Sequence, residues 1–426
     1  MRNRWIGAFC RLWFLSLHLV HCYCLTNIVV CSGSRLRDIA IDGKHGYSIA
    51  NRHHSASRCN TRILFASTSK FSSLAQSDSQ EELESIRSWK STSARAKEAE
   101  IVYKSPSSLD ANAFVEVKRR IRGWHTLGIV GGPTKSIYHG VFQIDEKTGI
   151  VDPYALGPSE YIRTMATVAL CLSSMIEQRS RPYRDGLPPS ATSSDTPMRF
   201  LHMGYGSGSL MRFLRNSIPN SQHTAIDLDP TVANAAVELG LLDSSSPDEA
   251  LLVGDALEYA DAKSTELPTR FHGVCIDVFD GANLMPPGFY SIPFLENLRD
   301  NLLETDGCAF VIHNFHVGTE SLTGQLEDAM NSYRTVLGSS SIKTSKDNNA
   351  DSEYDLLHHS LYLVDSLNTN NHGGNTILIA IFNANDDDEA TKTKTQSWLE
   401  LANIATKRWK EKRFDLACRI ENARPF

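Results

Sequence analysis

From Met198 to Leu337 the chain repeats one unit: a short apolar run, a polar corner, then an amphipathic stretch. The runs are Met198-Arg-Phe-Leu-His-Met203, Thr224-Ala-Ile-Asp-Leu228, Ala250-Leu-Leu-Val253, Gly273-Val-Cys-Ile276 and Cys308-Ala-Phe-Val-Ile312, and they read as strands. Ser209 to Asn216, Pro230 to Leu239, Phe289 to Leu303 and Ser321 to Leu337 have helical spacing, with Pro230 at a first-turn position where its missing N–H costs nothing. Alternation of this kind predicts an α/β fold, a doubly wound parallel sheet with helices on both faces. The pattern changes at the end. Ser360-Leu-Tyr-Leu-Val364 and Asn375-Thr-Ile-Leu-Ile-Ala-Ile-Phe382 flank a turn-rich stretch and read as an antiparallel pair.

Upstream, Ser136 to Asp145 is strand-like, Glu146 to Gly149 is a turn, and Ile150 to Tyr154 returns, which predicts a small β-hairpin subdomain. A helix capped by Ser159 follows to Ile176, and the proline-rich Arg179 to Pro197 reads as a loop. Ser77 to Lys97 is a polar helix candidate with few apolar positions. The expected organisation is therefore a leader over 1–75, a polar helical linker over 76–135, hairpin and helix over 136–180, the main domain over 198–384, and a C-terminal helix and tail over 385–426.

Charge separates the leader from the rest. Through Ala75 there are 10 Lys or Arg and 2 acids, against 33 and 47 in the remainder, so a basic leader precedes an acidic body. Arg2 and Arg4 precede the apolar stretch Leu12 to Val20, which has the shape of a signal-peptide core, and the following Ser- and Arg-rich segment has transit-peptide composition. That combination suits import into a plastid bounded by extra membranes; mitochondrial and secretory addresses stay open. The stretch is short and interrupted by His18, so no stable membrane span is expected. The acidic body argues against a nucleic-acid partner. Cys171, Cys275, Cys308 and Cys418 are far apart with no CxxC pair, which suggests neither a disulfide framework nor a metal site.

The corners carry the chemistry. Gly204-Tyr-Gly-Ser-Gly208 lies between a strand and a helix, where residues without Cβ let the chain turn tightly and let a ligand approach the backbone (Gly204, Gly206, Gly208). Its spacing is not the G-x-G-x-x-G of a dinucleotide site and suits a nucleoside with an amino-acid tail better than a pyrophosphate. Asp227, at the end of the next strand, can accept from both ribose hydroxyls, with Asp229 as the helix cap beside it. Asp255 and Ala256 follow the third strand, where an acid either accepts from an adenine amino group or serves as a turn residue. Asp277 and Asp280 follow the fourth; two acids there would attract a cationic amine and take its proton, unless they simply face water. Asn314, after the fifth, is a further polar contact.

Taken together, Tyr161-Ile-Arg-Thr-Met165, Phe200 to Leu210, Ala225-Ile-Asp-Leu-Asp-Pro230, Val253-Gly-Asp-Ala256 and Asp277-Val-Phe-Asp280 resemble the successive motifs of the spermidine synthase-like branch of the S-adenosylmethionine-dependent methyltransferase superfamily. The resemblance runs from about Ser136 to Asn383. It implies a Rossmann-like seven-stranded sheet with its last strand reversed, and S-adenosylmethionine or its decarboxylated form as cofactor. It also implies that Gly204, Gly206 and Gly208 line the tail pocket, that Asp227 holds the ribose and Asp255 the adenine side, that Asp277 is the catalytic acid-base residue and Asp280 its substrate-side companion. Val278 and Gly281 depart from the polyamine synthases, which have Ser and Pro there, and Ile162-Arg163 replaces their usual run after the tyrosine. Arg163 would repel a polyamine and pair with the carboxylate of full S-adenosylmethionine. Methyl transfer to an amine or protein side chain is the first expectation. Aminopropyl transfer to a polyamine is the second, and a nucleoside-binding scaffold without turnover is the third. A small-molecule amine or a protein is the expected acceptor, and a homodimer is left open.

Overall fold

The computed structural model describes residues 99–132, 136–157, 159–179, 196–262, 270–280, 284–305, 308–317, 320–338, 361–366, 374–383, 398–409, 416, 420 and 423–425. The leader, the helix candidate over 77–97 and most of the 179–197 loop lie outside them.

A four-stranded antiparallel sheet comes first, in the order β1 (Glu100–Pro106), β2 (Ala113–Arg119), β3 (Trp124–Gly131) and β4 (Ser136–Gln143). This corrects two expectations. The stretch from Glu100 to Gly131 is not a polar helical linker but three strands, and the hairpin is larger than expected: beyond β4 only the bridge Ile144–Val151 forms its return. Charges within this stretch are paired on the sheet. Glu116 accepts from Lys104 at 2.7 Å and lies 3.0 Å from Lys118. Burial pushes the Glu116 carboxyl up, but those two ammonium groups outweigh it and hold it below the ordinary range.

Helix α1 (Glu160–Arg179) precedes the main sheet. It is buried almost all round, so its hydroxyls bond back to its own carbonyls: Thr164 to Glu160, Thr167 to Arg163 and Ser174 to Leu170. The main sheet then forms from β5 (Met198–Met203), α2 (Ser209–Ser217), β6 (Ser221–Asp227), α3 (Pro230–Glu238), β7 (Glu249–Val253), α4 (Ala256–Asp261), β8 (Gly273–Ile276), α5 (Ile292–Asn297), β9 (Cys308–Val317), α6 (Glu320–Leu337), β10 (Leu361–Ser366), β11 (Gly374–Asn383), α7 (Trp398–Trp409) and β12 (Arg424–Pro425). The order across it is β12-β10-β11-β9-β8-β5-β6-β7. β5 to β9 are parallel, and β11 runs antiparallel to both β9 and β10. This is the doubly wound sheet that the alternation predicts, with the reversed last strand that the resemblance implies, extended by the tail strand β12. The expected helix over 289–303 is broken into a 3-10 turn at Pro287–Tyr290, α5 and a wider turn at Leu298–Leu302.

Alternate residues of β5 face opposite layers. Phe200 joins α1, α2 and α7 on one face, and Leu201 and Met203 join α4, α5 and α6 on the other. The C-terminal segment belongs to the first layer: Leu401, Ala402, Ala405, Leu416 and Ile420 are all buried in it.

The four-stranded sheet docks its Val115, Val117, Leu127 and Phe142 onto Tyr205, Met211 and α3. A polar clamp joins the same surfaces. Asp229, 1% exposed, caps α3 by accepting from Thr231 N at 2.9 Å. It also accepts from Ser107 Oγ at 2.6 Å and Ser108 Oγ at 2.8 Å. Burial raises this carboxyl, but the donors from Ser107, Thr231 and Ser108 outweigh it and leave it below its ordinary value. Each fully buried Val, Leu or Phe contributes about 1.5–3 kcal/mol, so the apolar face carries more of the docking than one carboxylate. Asp229→Ala is therefore expected to weaken the protein by about 2–4 kcal/mol without detaching the sheet. Chemical denaturation followed by circular dichroism measures the loss, and an unchanged midpoint would remove the clamp from the account.

Candidate functional site

The chain runs outward from β5 to β6 and β7, then returns to place β8 on the other side of β5. The strand ends β5 and β8 therefore form the switch point, where open α/β sheets hold their ligands. Gly204 directly follows β5 and Asp277 directly follows β8. The backbone pairing continues one residue past the strands: Asp277 N donates to Met203 O at 3.0 Å, and Gly204 N to Ile226 O at 2.9 Å. Gly204 has φ +88°, and a Cβ there would lie 2.5 Å from the Asp277 carbonyl oxygen. Glycine at this corner lets the loop and the acid share one place.

The loop is held from both sides. Asp227 Oδ2 accepts from Tyr205 N at 3.2 Å and Gly206 N at 3.3 Å, and its Oδ1 accepts from Asp229 N at 3.1 Å. The sequence suggests a ribose acceptor; the structure adds a strap that fixes the shape of the glycine loop. On the far side, Ser207 and Ser209 both donate to the Val141 carbonyl of β4, and Gly140 packs so close that a Cβ would lie 2.3 Å from Ser207 Oγ. The four-stranded sheet is thus part of the wall of the loop. Gly208 caps α2 with φ +66° and no side-chain partner, and the first turn of α2 carries no acid.

Burial raises the Asp277 carboxyl above the ordinary range, only partly opposed by hydrogen bonds from Asn314 and Tyr161. Asn314 Nδ2 donates to Asp277 Oδ1 at 2.9 Å. Tyr161, in the first turn of α1, donates its phenol; burial first and the facing carboxylate second keep it protonated. Neither Tyr161 nor the partner of Asn314 is marked as a site by sequence spacing.

The remaining candidates lie around this centre. Gly254 N donates to Asp227 O at 3.0 Å, which places the corner after β7 beside the strap. There Asp255 caps α4, its Oδ1 accepting from Leu257 N at 2.8 Å, and Ala256 is buried behind it. Asp280 is exposed, with its Oδ1 accepting from Leu284 N at 2.8 Å, so it braces its own loop. Arg163 departs from expectation. It is fully buried and paired with Glu160 at 3.0 Å, so its charge is already partnered inside the protein and it is no ready ligand for a tail carboxylate.

The site suits a nucleoside with an amino-acid tail on three observations of the structure. Gly204 and Gly206 have positive φ and are partly exposed at the corner after β5. A carboxylate occupies the end of the second strand. The corner after the first strand opens onto the uncapped first turn of a helix. Among the described residues no group of three or more His, Cys, Asp or Glu is arranged to hold a metal ion, and no helix is long and apolar enough to cross a membrane.

No protein-family model matches the chain. Among curated proteins, the eEF1A lysine and N-terminal methyltransferase of Mus musculus is 29% identical over 114 residues, 25% of this chain. The match spans 16% of that relative's length. Among solved structures, a probable spermidine synthase from Corynebacterium glutamicum is 18% identical, with 74% of this chain and 88% of that one covered, at a TM-score of 0.46. Human methyltransferase-like protein 13 in complex with SAH is also 18% identical, with 60% and 94% covered, at 0.40. Spermidine synthase from Thermotoga maritima is 13% identical, with 72% and 84% covered, at 0.40.

Proposed function

We propose that the protein is an S-adenosylmethionine-dependent transferase, and that it moves a methyl group to an amine, on a small molecule or on a protein side chain. One observation carries the reading: the glycine loop, its Asp227 strap and the half-buried Asp277 meet at the switch point of the sheet. When bound, the sulfonium nucleoside supplies a carbon activated by its sulfide leaving group. Gly204, Gly206 and Gly208 would flank the amino-acid tail, Asp227 the ribose, and Asp255 the adenine side.

The chain's own contribution is proton handling and positioning. An amine attacks only as the free base, and Asp277 is the carboxylate placed to take its proton. Burial makes that carboxylate a stronger base than one in water, while hydrogen bonds from Asn314 and Tyr161 fix it and partly offset that rise. The exposed Asp280 adds negative charge at the rim, which favours an approaching cation. The name of the mouse relative supports an amine acceptor on protein. The basic leader supports delivery to an organelle, a plastid before a mitochondrion.

Calorimetric titration of the full chain with S-adenosylmethionine and with its decarboxylated form tests the reading. Tighter binding of the carboxylated nucleoside is the expected result. Preference for the decarboxylated one would turn the assignment to aminopropyl transfer, and binding of neither would sink the cofactor assignment.

A further inference from the structure

Asn314 can be inserted beside Asp277 in two ways. Its side-chain amide has a donor end and an acceptor end, and only the donor end suits a carboxylate. Asn314 is fully buried, so water does not complete whichever end is turned away. Its Oδ1 accepts from Asn375 Nδ2 at 2.9 Å. Asn375 is on β11, opposite His316 of β9, and is 8% exposed. The same Asn375 nitrogen lies 3.3 Å from His316 Nδ1.

An amide nitrogen carries two hydrogens, and both have a partner here. One goes to Asn314 Oδ1 and the other to His316 Nδ1. This assigns the imidazole as neutral, with Nδ1 accepting and the proton on Nε2. The ring is held in place by Phe279, from the loop between Asp277 and Asp280, with centroids 4.3 Å apart. The donor sense therefore runs one way: from Asn375 to Asn314 to Asp277. Turning Asn314 over would face two donors at Asn375 and two acceptors at Asp277.

We propose that Asn375 on the reversed strand is a positioning residue for Asp277, because it forces the Asn314 amide to present its donor end to the carboxylate. Asn375 acts through Asn314, not on the reacting atoms. Its importance for turnover rests on the reading of Asp277 as the proton acceptor, whereas the hydrogen-bond relay does not.

The test uses the full chain labelled with ¹³C at the aspartate carboxyl carbons, with the Asp277 signal assigned by its absence in Asp277→Asn. Two variants are compared with the wild type. Asn375→Leu removes both donors at similar volume, and Asn375→Asp puts an acceptor where the donor was. The Asp277 titration midpoint is expected to move up in both, further in Asn375→Asp, while affinity for S-adenosylhomocysteine by calorimetry stays unchanged. An Asp277 midpoint that stays put in a variant with a wild-type melting curve overturns the proposal. The wild type gives a second reading that needs no variant: the Asn375 side-chain nitrogen resonance is expected to shift with the Asp277 midpoint, and its invariance also overturns the proposal. Failure of the wild type to bind S-adenosylhomocysteine, with the midpoint shifts intact, would sink the transferase reading and leave the relay standing.

Discussion

Asp277→Asn is expected to lower the rate of transfer by about 10²–10⁴-fold, the usual range for loss of a positioned general base, with nucleoside affinity unchanged. The substitution keeps the shape of the side chain and one acceptor oxygen for Asn314, so the corner after β8 survives. What disappears is the ability to take a proton. The pH profile separates this from simple disturbance. The active form is the carboxylate, so the rate rises with pH as Asp277 ionises, and burial places that limb above the ordinary carboxylate range. The limb is expected in the wild type and absent from the variant. Labelled-methyl incorporation into an amine acceptor pool across pH measures both, and equal rates in the two proteins would remove Asp277 from the chemistry.

The acids and glycines of this site were readable because each directly follows an apolar run. Strand ends are marked in sequence by the return of polarity, and in a parallel sheet the ends after β5, β6, β7 and β8 all lie on one edge. Gly204, Asp227, Asp255 and Asp277 therefore come together for a topological reason that needs no knowledge of contacts. The same logic finds Asn314 at the end of the fifth run, but not what it touches.

What sequence could not show are the contacts set by register and docking. Asn375 reaches Asn314 only because β11 runs backwards beside β9 in one particular register, in which Asn375 faces His316. A shift of one residue would turn Asn375 to the other face of the sheet. Tyr161 reaches Asp277 only through the packing of α1. The first three strands were hidden differently. They fall in the stretch expected as a polar helical linker, yet Lys104, Glu116 and Lys118 pair with one another on one face while Val115 and Val117 on the other enter the core.

Asp227→Ala is expected to lower affinity for S-adenosylhomocysteine by roughly 100-fold or more, since a hydrogen bond to a charged group contributes about 1.5–3 kcal/mol and each 1.4 kcal/mol is tenfold. Two effects add. The variant removes the acceptor that we propose for the ribose, and it frees the loop before any ligand arrives. Tyr205 N and Gly206 N lose their shared partner, and Asp229 N loses its own. Gly204, Gly206 and Gly208 all have positive φ, a conformation that glycine adopts readily and also leaves readily. The strap is what narrows that freedom to one shape. Asp227→Asn separates the contributions, because one oxygen remains to bind either the loop or the ribose; its affinity is expected to fall between wild type and Asp227→Ala. Calorimetry on the three proteins decides the matter. Wild-type affinity in Asp227→Ala would mean that the carboxylate at the end of β6 neither shapes the pocket nor touches what enters it, and the glycine loop would then have to be read as a corner of the fold alone.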